Sequence, residues 1–202
     1  AASDVYKRQA HGETRALVTS DFNDPNLFWQ WHYINNADAA IATAARVGAD
    51  VNAAPAWKMT GGNPQVIVAI VDEGVKYTHP DLAANMWINP NPSPEYKNQD
   101  IHGWNFAADG SISWGQKGDS GHGTHVAGTV AAVNNNGIGV CGVAGGTGKG
   151  DGVRLMSCQI FSGDLTGDAL VSSRAVKYAA DHGASILQCS WGIKAGIYTS
   201  DN

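Results

Sequence analysis

The sequence has no apolar run long enough to cross a membrane and little charge of either sign. A membrane-spanning helix needs about 20 consecutive apolar residues, and no stretch of the 202 residues provides them. Charged residues make up 15% of the chain, the formal net charge is −5, and there is no basic stripe, so nucleic acid is not an expected partner. Hydrophobic residues, at 43%, are sufficient for a buried core. These features predict a globular domain without a membrane span.

Cysteine is also scarce, and no signal peptide is recognisable. Cys141, Cys158 and Cys189 are odd in number and widely spaced, which fits neither a disulfide framework nor a zinc ribbon. Two of them lie in apolar runs and are interpreted as small buried thiols. The stretch 1–9 (AASDVYKRQ) resembles translated sequencing-adapter sequence and is interpreted as a non-native leader, and residues 198–202 raise the same question.

The apolar pattern predicts an α/β fold with a parallel sheet. Residues 66–71 are six apolar residues, mostly β-branched, as in a strand that is buried on both faces of such a sheet. A strand, helix and strand follow later in the chain, and Asp168 is the predicted N-cap of that helix. The predicted helices are 37–47, 52–60, 121–133 and 168–181, the later strands are 153–161 and 185–190, and the loops are 86–120.

Two residues suit acid–base chemistry at the edge of this sheet. Histidine takes up a proton near neutral pH, and His122 stands between Gly121 and Gly123, which we expect to let a substrate backbone approach. Asp72 follows the buried strand, where a carboxylate is held rigidly and can orient an imidazole ring. His125, one helical turn after His122, is predicted to be a structural histidine that faces the interior. Asp119 either tunes His122 or is a solvated loop acid.

Four segments in order then resemble the subtilisin family of serine peptidases. They are the aspartate motif VAIVDEGVKYTHPDL at 68–82, the histidine motif HGTHVAGT at 122–129, the loop VNNNGIGVCGVA at 133–144, and SWG at 190–192. The resemblance covers roughly residues 22–196. It implies a three-layer subtilisin-like fold with a central parallel sheet, with Asp72 as the orienting acid and His122 as the general base and acid. One departure is Glu73, where the family usually has Thr or Ser.

The larger departure concerns the nucleophile. The family's serine lies in a Gly-Thr-Ser-Met-Ala type motif and its oxyanion asparagine in an Ala-Gly-Asn type motif, and neither occurs in the 202 residues. We therefore expect a C-terminally truncated catalytic domain that is nearly inert by itself. The expected organisation is a leader at 1–9, an N-terminal arm at 10–62 and a partial peptidase domain at 63–202. The alternative is a non-catalytic binding module or truncated product of the same fold.

The resemblance also implies a structural calcium ion and a peptide-binding segment. The implied calcium ligands are the side chains of Asp24, Asp81 and Asn136 and the backbone oxygens of Val133, Ile138 and Val140. An extended peptide substrate is expected to add to the edge at Ser190, Trp191 and Gly192, facing the segment from Gly163 to Gly167. No organic cofactor is expected. The longer protein of which this chain is expected to be a part is in turn expected to be a monomer that is secreted or associated with the cell envelope.

Other readings of these motifs are weaker. Two histidines three residues apart suggest zinc, but the helical zinc signature needs His-Glu-x-x-His, and Gly123 and Thr124 stand between the histidines here. The glycine-rich stretch 145–150 lacks the spacing of a phosphate-binding loop and is interpreted as an exposed turn. His32, His79 and His102 are interpreted as loop residues.

Overall fold

The computed structural model describes residues 21–41 and 43–192. The predictions for 1–9 and 198–202 lie outside these residues. The α-helices are α1 (Ala53–Trp57), α2 (His122–Ala131) and α3 (Ala169–Asp181). The strands are β1 (Ile67–Glu73), β2 (Gly103–Asn105), β3 (Arg154–Ser162), β4 (Leu165–Thr166) and β5 (Ala184–Gln188). Short 3₁₀ helices lie at Leu27–Trp29, Ala83–Asn85 and Pro94–Tyr96.

Four of the strands form a parallel sheet in the order β2-β3-β1-β5, and β4 adds to β3 as a short antiparallel hairpin. The strand β1 lies between β3 and β5, and its five central residues are buried, as a continuous apolar run predicts. Because β1 separates β3 from β5, the connection through α3 passes over a strand. This parallel sheet confirms the predicted α/β class.

Helices cover both faces of the sheet, which gives three layers. Successive side chains of a strand point to opposite faces. Val68 and Ile70 pack with Ala127 and Ala131 of α2, whereas Ala69 and Val71 share the other cluster with α3. The residues that α3 contributes there are Ala175, Tyr178 and Ala179. Asp168 accepts the N–H of Val171 at 2.8 Å, which confirms the predicted N-cap of α3.

The alanine-rich helix predicted at 37–47 is wrong, because residues 37–41 and 43–47 form turns and loop. Ala37 has a left-handed φ of 59°, and its N–H donates to the side chain of Asn35 at 2.9 Å. The side chain of Asp38 accepts the N–H of Ala40 at 2.8 Å. Such bonds from Asn and Asp side chains compete with helical hydrogen bonds. Three short elements within or after predicted loops, β2, β4 and the 3₁₀ helix Pro94–Tyr96, were not predicted from the sequence.

Candidate active site

Asp72 lies one residue before the end of β1, at the carboxyl edge of the sheet, and its side chain is 1% exposed. Its Oδ1 accepts the N–H of Glu73 at 2.7 Å. Its Oδ2 is buried and has no hydrogen-bond partner among the described residues. A buried carboxylate with a free oxygen attracts positive charge strongly, since burial removes the water that would otherwise screen it. Asp72 is therefore placed to stabilise a cation beside it.

His122 supplies that partner, because its Nδ1 lies 2.7 Å from Oδ1 of Asp72. His122 is the first residue of α2. Its side chain is 48% exposed, so the second ring nitrogen, Nε2, remains available for proton transfer. The hydrogen bond to Asp72 raises the pKa of His122, and the negative charges of Asp72 and Glu73 add to this rise against an opposing effect of burial. With Nδ1–H donated to the carboxylate, Nε2 carries the lone pair of the neutral ring. The geometry is that of an oriented general base.

Glu73, the departure noted in the sequence, contacts the segment that leads into α2. Its carboxylate accepts the N–H of His122 at 2.9 Å and the hydroxyl of Ser120 at 2.9 Å. The sequence showed the departure at Glu73 but not these contacts. The signal available was a carboxylate at a position where the family usually has a hydroxyl.

The two glycines beside His122 differ from the expectation that they admit substrate. A Cβ on Gly123 would collide with the backbone of Glu73, so this glycine allows α2 to pack against β1. Gly121 has a left-handed φ of 78° and open space around it, which suits the turn before the helix. Their functions are therefore packing and turn geometry within the chain.

Two neighbouring side chains have surroundings that the sequence did not predict. His125 is exposed rather than interior, and it lines a cavity of about 390 Å³ on the outer side of α2 together with His32 and His79. Asp119 is a partly exposed loop acid and has no hydrogen bond to His122 among the described residues. Its carboxylate accepts the N–H of Gln116 at 2.8 Å and that of Gly163 at 2.6 Å, which ties the loop before α2 to the hairpin after β3.

The predicted peptide-binding residues follow two strands at the same edge of the sheet as Asp72. Ser190, Trp191 and Gly192 are exposed and come after β5. The indole N–H of Trp191 donates to the carbonyl of Val71 at 2.7 Å, and its ring meets Phe161 edge-on at 6.2 Å. Gly163, with φ 58°, and Gly167 flank the two residues of β4. A Cβ on Gly167 would lie too close to the carbonyl of Ile160. Packing within the chain therefore also favours glycine at this predicted peptide-binding position.

The residues implied for calcium meet around Asp81, which is buried. Its Oδ1 accepts the side-chain amide of Asn136 at 2.8 Å and its Oδ2 the N–H of Val140 at 2.9 Å, while its carbonyl accepts the N–H of Val133 at 2.9 Å. The amide oxygen of Asn136 accepts the N–H of Ile138 at 3.0 Å, so its nitrogen faces Asp81. Among the described residues, the carbonyls of Val133, Ile138 and Val140 accept no hydrogen bond.

Asp24 reaches the same turn from the N-terminal arm. Its carboxylate accepts the N–H of Asn135 at 2.7 Å and the thiol of Cys141 at 3.3 Å. Burial raises the pKa of Asp81, and the nearby negative charge of Asp24 adds to that rise. Within the described part of the chain, neither acid forms a salt bridge, and no group of three His, Cys, Asp or Glu side chains has a metal-binding arrangement.

A buried carboxylate that orients a half-exposed histidine at a sheet edge is a geometry suited to acid–base chemistry. The profile of the subtilase family, peptidase S8, matches residues 63–201. The chain belongs to this family, which confirms the resemblance seen in the four motifs, and its relatives are serine proteases.

Three relatives illustrate the similarity. Halolysin of Haloferax mediterranei is 35% identical over 142 residues, which cover 70% of this chain and 24% of halolysin. Thermitase of Thermoactinomyces vulgaris is 32% identical over 146 residues, covering 72% of this chain and 44% of thermitase. A solved structure of a protease from Pseudoalteromonas arctica is 30% identical with a TM-score of 0.52, over 82% of this chain and 46% of that one. The chain thus spans less than half the length of each.

Proposed function

We propose that Asp72 and His122 are the acid and base of a serine endopeptidase of the subtilisin type. The observation that carries this proposal is the 2.7 Å contact between His122 Nδ1 and the buried carboxylate of Asp72 at the carboxyl edge of the sheet. The carboxylate fixes the ring tautomer and stabilises the imidazolium that forms during the reaction. Membership of a serine protease family agrees with this role.

The chemistry needs a serine that approaches His122 Nε2. As the serine Oγ bonds to the scissile carbonyl carbon, its proton passes to Nε2. The same proton then passes to the amine as the C–N bond breaks. Water next attacks the acyl-enzyme carbonyl while its proton passes to Nε2, and that proton returns to the serine Oγ as the acyl bond breaks. In both halves Asp72 keeps its hydrogen bond to Nδ1, so no proton moves to the carboxylate. The two described residues account for the proton transfers but not for the nucleophile.

No thiol in the described chain replaces that serine. Cys189 follows β5 and lies close enough to Asp72 for the two charges to interact. Burial raises the pKa of Cys189 and the negative charge of Asp72 adds to the rise, so the thiol stays protonated and weakly nucleophilic at neutral pH. Because the relatives are much longer than this chain, we infer that residues outside these 202 supply the serine and the oxyanion donor.

The first prediction follows from this inference. The purified 202-residue chain should give no covalent product with a fluorophosphonate, because the reagent needs an activated serine. A longer protein from the same gene that includes a Gly-Thr-Ser-Met-Ala type motif should be labelled at one serine per molecule, as measured by intact mass.

Thermitase treated in parallel serves as the positive control for the reagent. Stoichiometric labelling of the 202-residue chain would overturn the assignment of the nucleophile to another segment. A longer product that contains the motif, folds and still resists labelling would instead favour a non-catalytic binding module.

The peptide-binding part of the proposal concerns the exposed segment after β5. A peptide is a natural partner for Ser190–Gly192 because an extended chain adds to a strand edge by backbone hydrogen bonds. Among the described strands β5 pairs only with β1, so its other edge is unpaired there. The indole of Trp191 donates to the Val71 carbonyl of β1 and its ring meets Phe161 of β3, so this side chain lies on the β1 side of the segment and fixes the backbone there. Secretion or attachment to the cell envelope belongs to the same proposal and is supported by the family resemblance.

We further propose a structural calcium ion at the turn that joins Asp81 to Asp24. Among the described residues these two buried carboxylates form no salt bridge, and His79 is the basic side chain that acts on Asp81, so a hard cation with oxygen ligands would balance the remaining negative charge. Asp81, Asn136 and Asp24 and the backbone oxygens of Val133, Ile138 and Val140 are the residues that would hold it. The ion would supply charge neutralisation and a link between the arm and the turn, and no chemistry at His122.

The second prediction tests this ion by thermal melting with calcium or with excess chelator. A ligand that binds only the folded state stabilises it by about 2.7 kcal/mol at a free concentration one hundred times its Kd, so the melting temperature should rise by several degrees. Asp81→Asn should remove the calcium-dependent rise, whereas the exposed control Asp164→Asn should keep it. Equal melting temperatures with calcium and chelator in the unaltered protein would overturn the proposed ion.

A further inference from the structure

Glu73 occupies a position from which it holds the backbone of the histidine segment. It is the last residue of β1, and both of its carboxylate oxygens point to the residues that begin α2. Oε2 accepts the N–H of His122 at 2.9 Å and that of Ser120 at 3.2 Å, and Oε1 accepts the Ser120 hydroxyl at 2.9 Å. One carboxylate thus receives a hydroxyl and two amide protons from the segment 120–122.

The N-cap residue of α2 supplies no side-chain cap of its own. The first N–H groups of an α-helix lack intrahelical partners, and a side chain of the N-cap residue usually accepts one of them. The N-cap of α2 is Gly121, which has no side chain and adopts a left-handed φ of 78°. The cap is supplied instead by a neighbouring strand, and a carboxylate there also suits the positive end of the helix dipole.

The strand that supplies the cap is the one that carries Asp72. Asp72 bonds the imidazole of His122 at 2.7 Å and Glu73, the next residue, bonds its backbone N–H at 2.9 Å. Gly123 adds a third constraint, because its missing side chain lets α2 lie directly against the Glu73 backbone. His122 is therefore held through both its ring and its main chain by two consecutive residues.

We propose that Glu73 is a positioning residue for His122, which caps the histidine helix from β1 and adds its negative charge to that of Asp72 at the imidazole. The inference rests on the proposed function of His122 as the base. A Thr or Ser, usual at this position in the family, offers a hydroxyl and no charge, so the carboxylate of Glu73 adds a charge that this usual side chain lacks.

The charges that act on the ring support this assignment. Asp72 and Glu73, both on β1, raise the pKa of His122, with the hydrogen bond to Asp72 as the largest cause. Among the described residues, the segments next to His122 also carry Lys76 after β1, Asp119 before α2, His125 on α2 and Cys189, whose charge interacts with that of Asp72. Removing the charge of Glu73 takes away stabilisation of the imidazolium, so the pKa of His122 should fall and the neutral base should persist to lower pH.

The experiment is an NMR titration of the His122 ring in the 202-residue chain, with the resonance assigned by its loss in His122→Asn. Glu73→Gln keeps the shape and removes the charge, and Glu95→Gln removes an equal charge from the 3₁₀ helix Pro94–Tyr96. We expect the titration midpoint of His122 to fall in Glu73→Gln and to stay unchanged in Glu95→Gln. Amide exchange at His122 should become about tenfold faster, or more, in Glu73→Gln, because a hydrogen bond to a charged acceptor is lost.

A midpoint that is the same in Glu73→Gln and Glu95→Gln would overturn the proposal and leave Glu73 as a structural cap only. Should Glu73→Gln fail to fold, Glu73→Thr, which carries a side chain usual in the family, takes its place under the same criterion. Because the titration needs neither the serine nor turnover, a shifted midpoint in a protein that proves inactive would uphold the positioning role and refute the catalytic one.

Discussion

Replacing His122 by alanine in a longer protein that contains the serine motif is expected to lower kcat on the order of 10⁶-fold, the loss that follows removal of the histidine from the subtilisin triad. The physical reason is that the serine hydroxyl then has no acceptor for its proton, and the leaving amine has no donor. Loss of the ring also leaves the buried Asp72 carboxylate with one hydrogen-bond donor fewer, so the free energy of unfolding should fall by about 1–3 kcal/mol. Turnover of a peptide amide and urea unfolding measure the two effects separately.

His125→Ala is the matched control, since it removes a second exposed histidine one turn along the same helix. It should leave kcat within a few-fold of the unaltered protein and change stability by about 0.5 kcal/mol or less. The assignment of the base would be wrong if His125→Ala abolished turnover while His122→Ala retained it.

Gly123→Ala is the second substitution with a large expected effect, and this effect is on stability. The added methyl group would overlap the backbone of Glu73, which cannot move without displacing β1, the strand between β3 and β5. We expect a loss of about 3 kcal/mol in the free energy of unfolding, at the upper end of what overpacking usually costs. The contact between His122 and Asp72 should lengthen as α2 is pushed from the sheet, and urea denaturation of the chain measures the loss.

Gly128→Ala, in the same helix, tests whether the effect of Gly123→Ala comes from the close approach or from glycine as such. No atom outside the helix's own backbone lies within 4 Å of a Cβ built on Gly128. Alanine is favoured over glycine in a helix interior by about 1 kcal/mol, so this variant should be neutral or more stable. Similar losses for both variants would contradict the packing role assigned to Gly123.

The sequence was informative where one strong physical preference determined the structure. The apolar run at 66–71 indicated a buried parallel strand, and β1 is that strand, extended by Asp72 and Glu73. Asp168 indicated a helix start because its side chain can accept an N–H, and it does so at Val171. Asp72 and His122, fifty positions apart in sequence, were paired in the prediction because Asp72 follows the buried strand and His122 suits proton transfer, and the family motifs marked both.

Other features depended on contacts that no local pattern specifies. Helix propensity was a weak guide at 37–47, where the side chains of Asn35 and Asp38 bind nearby amides instead. The spacing of histidines did not show that His125 faces outward. The glycine at position 123 suggested access for substrate, whereas the neighbour that approaches it is the chain's own strand. In each case the partner lies elsewhere in the fold, so only the assembled structure identifies it.

The position of β1 between two later strands also bears on how the polypeptide assembles during synthesis. Ile67 pairs with Arg154 on one side and with Ala184 on the other, so both edges of β1 stay open until those distant segments have left the ribosome. Pairing across such long stretches of sequence is slow, and an unpaired apolar strand invites association with other chains. A nascent chain that stalls before residue 184 would therefore leave the edge of β1 at Val68 and Ile70 unpaired and open to association with other chains.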